Sequence, residues 1–157
     1  MKKTFAFLIS LSIILFILLY SIDFMAKDIS YYNNFHNEYK IDKESGLSKE
    51  WIEGASNSLV EFIKSGDKEV LKNHFNKKEI SHMEDVYKLF KLDRVVYTSL
   101  FIFTLVVFLY KIIKNDFILF KYIRKYILIT YMTVISFLGI CSLFFSESFI
   151  YFHKLFF

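Results

Sequence analysis

The chain has 157 residues, of which 55% are hydrophobic and 20% aromatic, with a formal charge of +4. So large an apolar share in so short a chain exceeds what a soluble core could bury, and places the sequence in the membrane class. A single cysteine rules out an internal disulfide, and the absence of proline with only four glycines argues against flexible linkers or the broken helices of transporters.

In chain order, the first apolar stretch runs from Phe5 to Ile22, 18 residues without a charge. Lys2 and Lys3 precede it as they would a signal peptide. The run, however, exceeds the roughly 7–15 residues of a signal-peptide core, and Phe24-Met25-Ala26 is a poor cleavage site. An uncleaved anchor is expected over 1–22. Val95 to Tyr110 forms a second apolar run, extended to Ile113 if Lys111 snorkels to the headgroups, and Tyr126 to Ser146 forms a third of 21 residues. The expected fold is an all-α integral membrane protein with three transmembrane helices, at 1–22, 95–113 and 126–146.

Charge sets the expected orientation. Lys2, Lys3 and the basic connection 114–125, with Lys114, Lys121, Arg124 and Lys125 against Asp116, belong in the cytoplasm together with Lys111. Residues 23–94 and 147–157 then fall outside. The segment 23–94 holds twelve Lys or Arg and fourteen Asp or Glu, a net of −2, which is compatible with export. Positive charge concentrated at the cytoplasmic face suits anionic lipid, and nucleic acid is not an expected partner.

Residues 23–94 read as a small extracytoplasmic cap of helices. Tyr31 to His36, aromatic and amide-rich, has no clear period and is expected to be irregular at the bilayer surface. Ser48 has the features of a helix N-cap, with Trp51, Ile52, Leu59, Phe62 and Ile63 continuing an apolar side until Ser65-Gly66-Asp67. A short helix is expected over Lys68–Leu71. A longer one begins near Lys77, with Ile80, Met83, Tyr87 and Phe90 at helical spacing, and leads into the second span.

Two histidines stand out on the expected outer side. His82 precedes the second span and His153 follows the third, and imidazole is the side chain best matched to proton transfer near neutral pH. Asp85, three residues after His82, could hold its ring, and Glu79 is equally placed before it. By spacing alone Glu79, His82 and Asp85 read equally as an ordinary solvated face. His153 sits among Phe149, Tyr151, Phe152, Phe156 and Phe157, where an interfacial aromatic anchor is the plain reading. His36 and His74 have no partner at useful spacing and are expected at the surface. No serine elbow, zinc helix, Cys-x-x-Cys or phosphate loop is present, and Cys141 lies within the third span. An enzyme built from these residues would need a substrate that brings its own nucleophile.

The order His82-Met83-x-Asp85-Val86-x-x-Leu89-Phe90 before the second span, then Phe149-x-x-Phe152-His153-x-x-Phe156-Phe157 after the third, resembles the bacterial lipoprotein intramolecular transacylases. The likeness takes in the anchor, the cap helix Leu59-Val60-Glu61-Phe62-Ile63 and the basic turn. It implies transfer of an acyl chain from the glyceryl sn-2 oxygen to the N-terminal cysteine amine of a diacylglyceryl lipoprotein, giving the lyso form. His82 and His153 would be the catalytic proton carriers, and Asp85, Tyr97, Tyr131, Phe149, Phe152 and Phe156 supporting groups. Neither metal nor cofactor is implied; the partners are diacylglyceryl-cysteine lipoproteins and membrane lipid. Family members continue from the Phe-His motif into a fourth transmembrane helix, so a C-terminally truncated member is expected here. The rival readings are a non-catalytic membrane accessory protein, an inactive truncated member and a histidine-based metal or haem binder.

Overall fold

A computed structural model describes residues 2–115 and 117–156, and among them every regular element is helical. The helices are α1 (Lys2–Ala26), α2 (Ile29–Tyr39), α3 (Ile41–Ser45), α4 (Lys49–Ser65), α5 (Lys77–Ile113), α6 (Ile118–Leu143) and α7 (Phe145–Phe156), with a 3₁₀ turn at Lys68–Leu71. Three of them, within Lys3–Ala26, Lys77–Ile113 and Ile118–Leu143, are long and apolar enough to cross a membrane. At 1.5 Å per residue, a helix of 25 residues reaches roughly 37 Å, more than the roughly 30 Å of bilayer hydrocarbon. The chain divides into two compact units: Met1–Leu18 with Val96–Phe157, and Leu19–Val95.

In the first unit, small and branched residues let α1 approach α6. Ala6 and Ile9 are completely buried against Leu119 and Ile123, with Ile13, Val107, Phe108, Tyr122 and Tyr126 closing around them. Polar groups here are few; Thr130 Oγ1 is buried without a hydrogen-bond partner, while two serines of α1 are tied. Ser10 Oγ donates to the Ala6 carbonyl at 2.9 Å, and Ser12 Oγ reaches the Leu100 carbonyl at 3.3 Å and Thr104 Oγ1 at 3.1 Å. Hydroxyls of this kind join helices where neither water nor a hydrophobic driving force is available to do so. Most remaining large apolar side chains, such as Phe103, Val106, Met132, Phe137 and Ile140, point outward, as they must if the surrounding solvent is hydrocarbon.

The basic connection is shorter than its charges imply. Helix α6 already begins at Ile118, so Lys121, Arg124 and Lys125 stand on its first turns; charge divided the sequence where helix propensity did not, since Lys and Arg are good helix formers. At the other end α6 stops at Leu143, before the expected limit at Ser146, and the aromatic segment starts a new helix at Phe145.

The second unit is a helical cluster packed on α4. Ser48 Oγ accepts the Trp51 N–H at 3.3 Å to start α4, and Gly66, left-handed at φ +76°, ends it with its N–H on the Phe62 carbonyl at 2.7 Å. The apolar side bears Ile52, Ala55, Val60, Phe62 and Ile63, all buried with Leu71 of the 3₁₀ turn. Asn76 opens α5 in a reciprocal box: its Oδ1 accepts the Glu79 N–H at 3.0 Å, while Glu79 Oε2 accepts the Asn76 N–H at 2.8 Å. Residues 31–36, expected to be irregular, lie instead within α2, capped by Asp28 accepting the Ser30 N–H at 2.9 Å. The four-residue period of Tyr31, Phe35 and Tyr39 outruns a window that stops at His36. Burial, with Tyr31 beside it, raises the titration of the Tyr32 hydroxyl, which donates to the Ala26 carbonyl at 3.2 Å.

Candidate functional site

His82 stands half-buried on α5, in the unit Leu19–Val95, and each carboxylate near it in sequence has a partner on a neighbouring residue or element. Asp85 Oδ1 accepts from Lys88 Nζ at 2.7 Å, Glu84 pairs with Lys68 at 3.2 Å, and Glu79 closes the helix-opening box with Asn76. Asp85 thus has a defined partner one turn on, a side-chain pair at the i,i+3 spacing that helices favour.

In the same unit, the side chains that tie the helices together lie deeper. Asp23, only 3% exposed, pairs with Lys27 and accepts from Arg94 Nε at 2.9 Å. Arg94 Nη2 also donates to the Ile63 carbonyl at 2.6 Å, and its guanidinium lies 5.8 Å from the centre of the Tyr87 ring. Tyr87 in turn rests on Phe62 at 5.3 Å and covers Gly66 so closely that an added Cβ would come within 2.5 Å of its hydroxyl. One arginine therefore joins the end of α1, the last turn of α4 and the α5 helix that carries His82. Sequence reasoning passed over this cluster. Its only signal was the i,i+4 spacing of Asp23 and Lys27 with Arg94 just before an apolar run.

His153 belongs to the other unit, on α7. Its ring lies 5.1 Å from Phe149, tilted by 31°, and Phe149 stacks in turn on Phe145 at 5.9 Å. Phe152 and Phe156 form a second pair at 4.8 Å, tilted by 42°. Helical periodicity puts these four phenylalanines and His153 on one face, with Glu147 and Lys154 opposite. The expected aromatic setting of His153 is therefore built by four-residue steps along one helix. Of the proposed hydroxyl donors, Tyr97 packs edge-on to Phe16 at 6.3 Å and Tyr131 is exposed on α6. Phe157, part of the expected aromatic wall, lies outside the described residues.

The remaining histidines differ from the surface role expected of them. His74 Nδ1 is 3.0 Å from Ser58 Oγ, its ring meets Trp51 edge-on at 5.7 Å, and Nε2 lies 2.7 Å from where a Cβ on Gly54 would be. It is a packing residue, held against a glycine twenty positions earlier in the chain. His36 has a buried Nδ1 without a hydrogen-bond partner. Among the described residues, no three His, Cys, Asp or Glu side chains are grouped to hold a metal ion.

Chemically, the chain offers imidazoles, aromatic walls and hydroxyls, with its lone free thiol, Cys141, on an apolar helix. Comparison with curated proteins and with solved structures finds no match. The family model described as lipoprotein intramolecular transacylase Lit matches residues 7–157, which takes in α5 with His82 and α7 with His153. The chain belongs to the lipoprotein intramolecular transacylase family.

Proposed function

We infer that the protein transfers an acyl chain within one molecule of diacylglyceryl lipoprotein, from the glyceryl sn-2 oxygen to the α-amine of the N-terminal cysteine. The observation that carries this reading is the family match over residues 7–157. The amine nitrogen attacks the ester carbonyl carbon, a C–N bond forms, the C–O bond to glycerol breaks, and the amine proton ends on the glyceryl oxygen. The product is an N-acyl, lyso-glyceryl lipoprotein. Substrate supplies both nucleophile and leaving group, so no protein nucleophile is required.

His82 and His153 are the proton carriers in this reading, one taking the proton from the attacking amine and the other stabilising the oxyanion or protonating the departing oxygen. The aromatic face of α7, with Phe149, Phe152 and Phe156, excludes water, which favours aminolysis over simple deacylation. Tyr97 and Tyr131 are hydroxyl donors to the reacting ester, and Asp85 positions the His82 turn. In this reading the N-terminus lies in the cytoplasm and the two histidines on the extracytoplasmic side of a bacterial cytoplasmic membrane, an orientation that the basic flanks of the apolar runs support.

The test is expression in a bacterium whose lipoproteins keep a diacylglyceryl cysteine with a free amine, followed by mass spectrometry of a lipoprotein N-terminus. Appearance of N-acyl, lyso-glyceryl cysteine is expected. Unchanged lipoproteins, with the protein present and folded in the membrane, would refute the reading.

A further inference from the structure

A partly open cavity of about 210 Å³, lined mostly by polar and charged residues, lies within the unit Leu19–Val95 between α2, α3 and α4. Asn33 and His36 line it from α2, Lys40 from the junction of α2 and α3, Lys43 from α3, and Lys49 with Glu53 from α4. Two of these side chains carry a buried polar atom with no hydrogen-bond partner, Asn33 Oδ1 and His36 Nδ1. Buried polar atoms are nearly always satisfied, and leaving two unmade beside one cavity is costly unless something enters it.

The charges around the cavity favour an anion. Glu53 is already within 3.8 Å of Lys49, whereas Lys40 and Lys43 make no ion pair among the described residues, against the one remaining lining carboxylate, Asp42. Lys40 adopts a left-handed backbone, φ 50°, unusual for a residue with a long side chain. Its N–H closes α2 on the His36 carbonyl and its carbonyl accepts the Lys43 N–H at 2.9 Å, a turn that holds both lysines at the cavity. The volume is below the roughly 300–1,000 Å³ of drug-sized pockets and suits a headgroup-sized ligand.

The opposite face of α2 indicates where the ligand comes from. Tyr31, Phe35 and Tyr39 recur at four-residue steps and are exposed, with Phe35 and Tyr39 packed at 4.6 Å. Asn33 and His36 occupy another side of the same helix, and Lys40 follows its last turn. Amphipathic rings on one side and cations on the other are the pattern of a helix lying at headgroup depth. Only Lys27 and Asp28 separate α2 from the apolar helix α1, which sets the same depth.

We propose that this cavity binds the glycerol-phosphate headgroup of an anionic membrane lipid. The phosphate oxygens accept from Lys40, Lys43 and His36, and a glycerol hydroxyl donates to Asn33 Oδ1. Neither histidine of the acyl transfer lines this cavity, and the proposal does not depend on that reading.

The test uses the purified full chain in neutral detergent, titrated with phosphatidylglycerol or phosphatidylcholine in mixed micelles and followed by calorimetry. Saturable binding of phosphatidylglycerol is expected, and the Lys40→Gln/Lys43→Gln variant should weaken it about tenfold or more, because each basic residue near an anionic lipid contributes measurably. Both side chains are exposed, so an unchanged thermal unfolding profile is expected of that variant. Asn33→Ala should weaken phosphatidylglycerol more than phosphatidate, which lacks the glycerol hydroxyls. Equal binding of phosphatidylglycerol and phosphatidylcholine would overturn the proposal. So would an equal loss in Lys68→Gln/Lys72→Gln, which removes the same charge outside the cavity. Free glycerol phosphate is the second arm: failure to displace the lipid at large excess supports a lipid ligand, and displacement at comparable concentration overturns the lipid source in favour of the soluble group.

Discussion

Replacing Arg94 by methionine tests whether the α1–α4–α5 junction holds the helix of His82. The guanidinium has two acceptors, Asp23 Oδ1 at 2.9 Å and the Ile63 carbonyl at 2.6 Å, and its side chain is 25% exposed, that of Asp23 only 4%. Methionine preserves most of the stem and its packing on Tyr87, so the loss is electrostatic. Breaking a buried pair by removing one partner costs about 3–5 kcal/mol, because a buried carboxylate is left with less compensation. Lys27 still pairs with Asp23, which puts the expected cost at the lower end, about 3 kcal/mol. For a chain of this length that corresponds to a fall in Tm of roughly 6–12 °C. Removing Asp23 as well, in Asp23→Leu/Arg94→Met, deletes the stranded charge and should recover part of the loss, a coupling of about 1–3 kcal/mol. The assay is thermal unfolding of the four proteins of this cycle in one detergent, with transacylation measured in parallel. Additive losses in the double variant, or an Arg94→Met protein as stable as the parent, would refute the account of this cluster.

His82→Ala and His153→Ala should each reduce formation of N-acyl, lyso-glyceryl cysteine by about 10²-fold or more while leaving the protein in the membrane, the scale of a lost proton-transfer group; activity retained in either would remove that residue from the mechanism. Gly66→Ala should destabilise the protein by about 1–2 kcal/mol from its left-handed backbone alone, and further because the new Cβ meets the Tyr87 hydroxyl at 2.5 Å and the ring atoms Cζ and Cε1 at 2.6 and 2.7 Å; measured unfolding should show Tyr87→Phe/Gly66→Ala, which keeps those ring carbons, recovering little of the second component. Ser48→Ala, which removes the acceptor for the Trp51 N–H, should cost about 1 kcal/mol, and Ser48→Asp should restore it. Phe149→Ala should lower activity more than stability, since the ring is exposed and stacks on His153; an equal loss of both would make it structural.

Much of the architecture was legible along the chain because it depends on local signals. The run Phe5 to Ile22, the cap at Ser48, the stop at Gly66, the short turn at Lys68–Leu71 and the start of α5 near Lys77 each rest on a handful of neighbouring residues, and each has its counterpart in the helices. The two histidines of the proposed reaction are picked out by their residue type and their places beside apolar runs, and both fall within the residues that the family model matches. The helix α2 was missed because its aromatic stripe extends beyond the segment considered, and the early start of α6 because basic residues were read only as loop charge.

The sequence by itself determined the periodic and compositional features: three helices apolar enough for a membrane, the charge asymmetry of their flanks, and the residues that begin and end α4. Only the tertiary structure decided which of the scattered polar groups meet. Asp23 and Arg94 are 71 positions apart, Ser58 and His74 are 16, and Ser12 and Thr104 are 92. No window along the chain contains such pairs, because they form where helices cross, and the crossing is set by how side-chain ridges pack rather than by any one helix's own pattern.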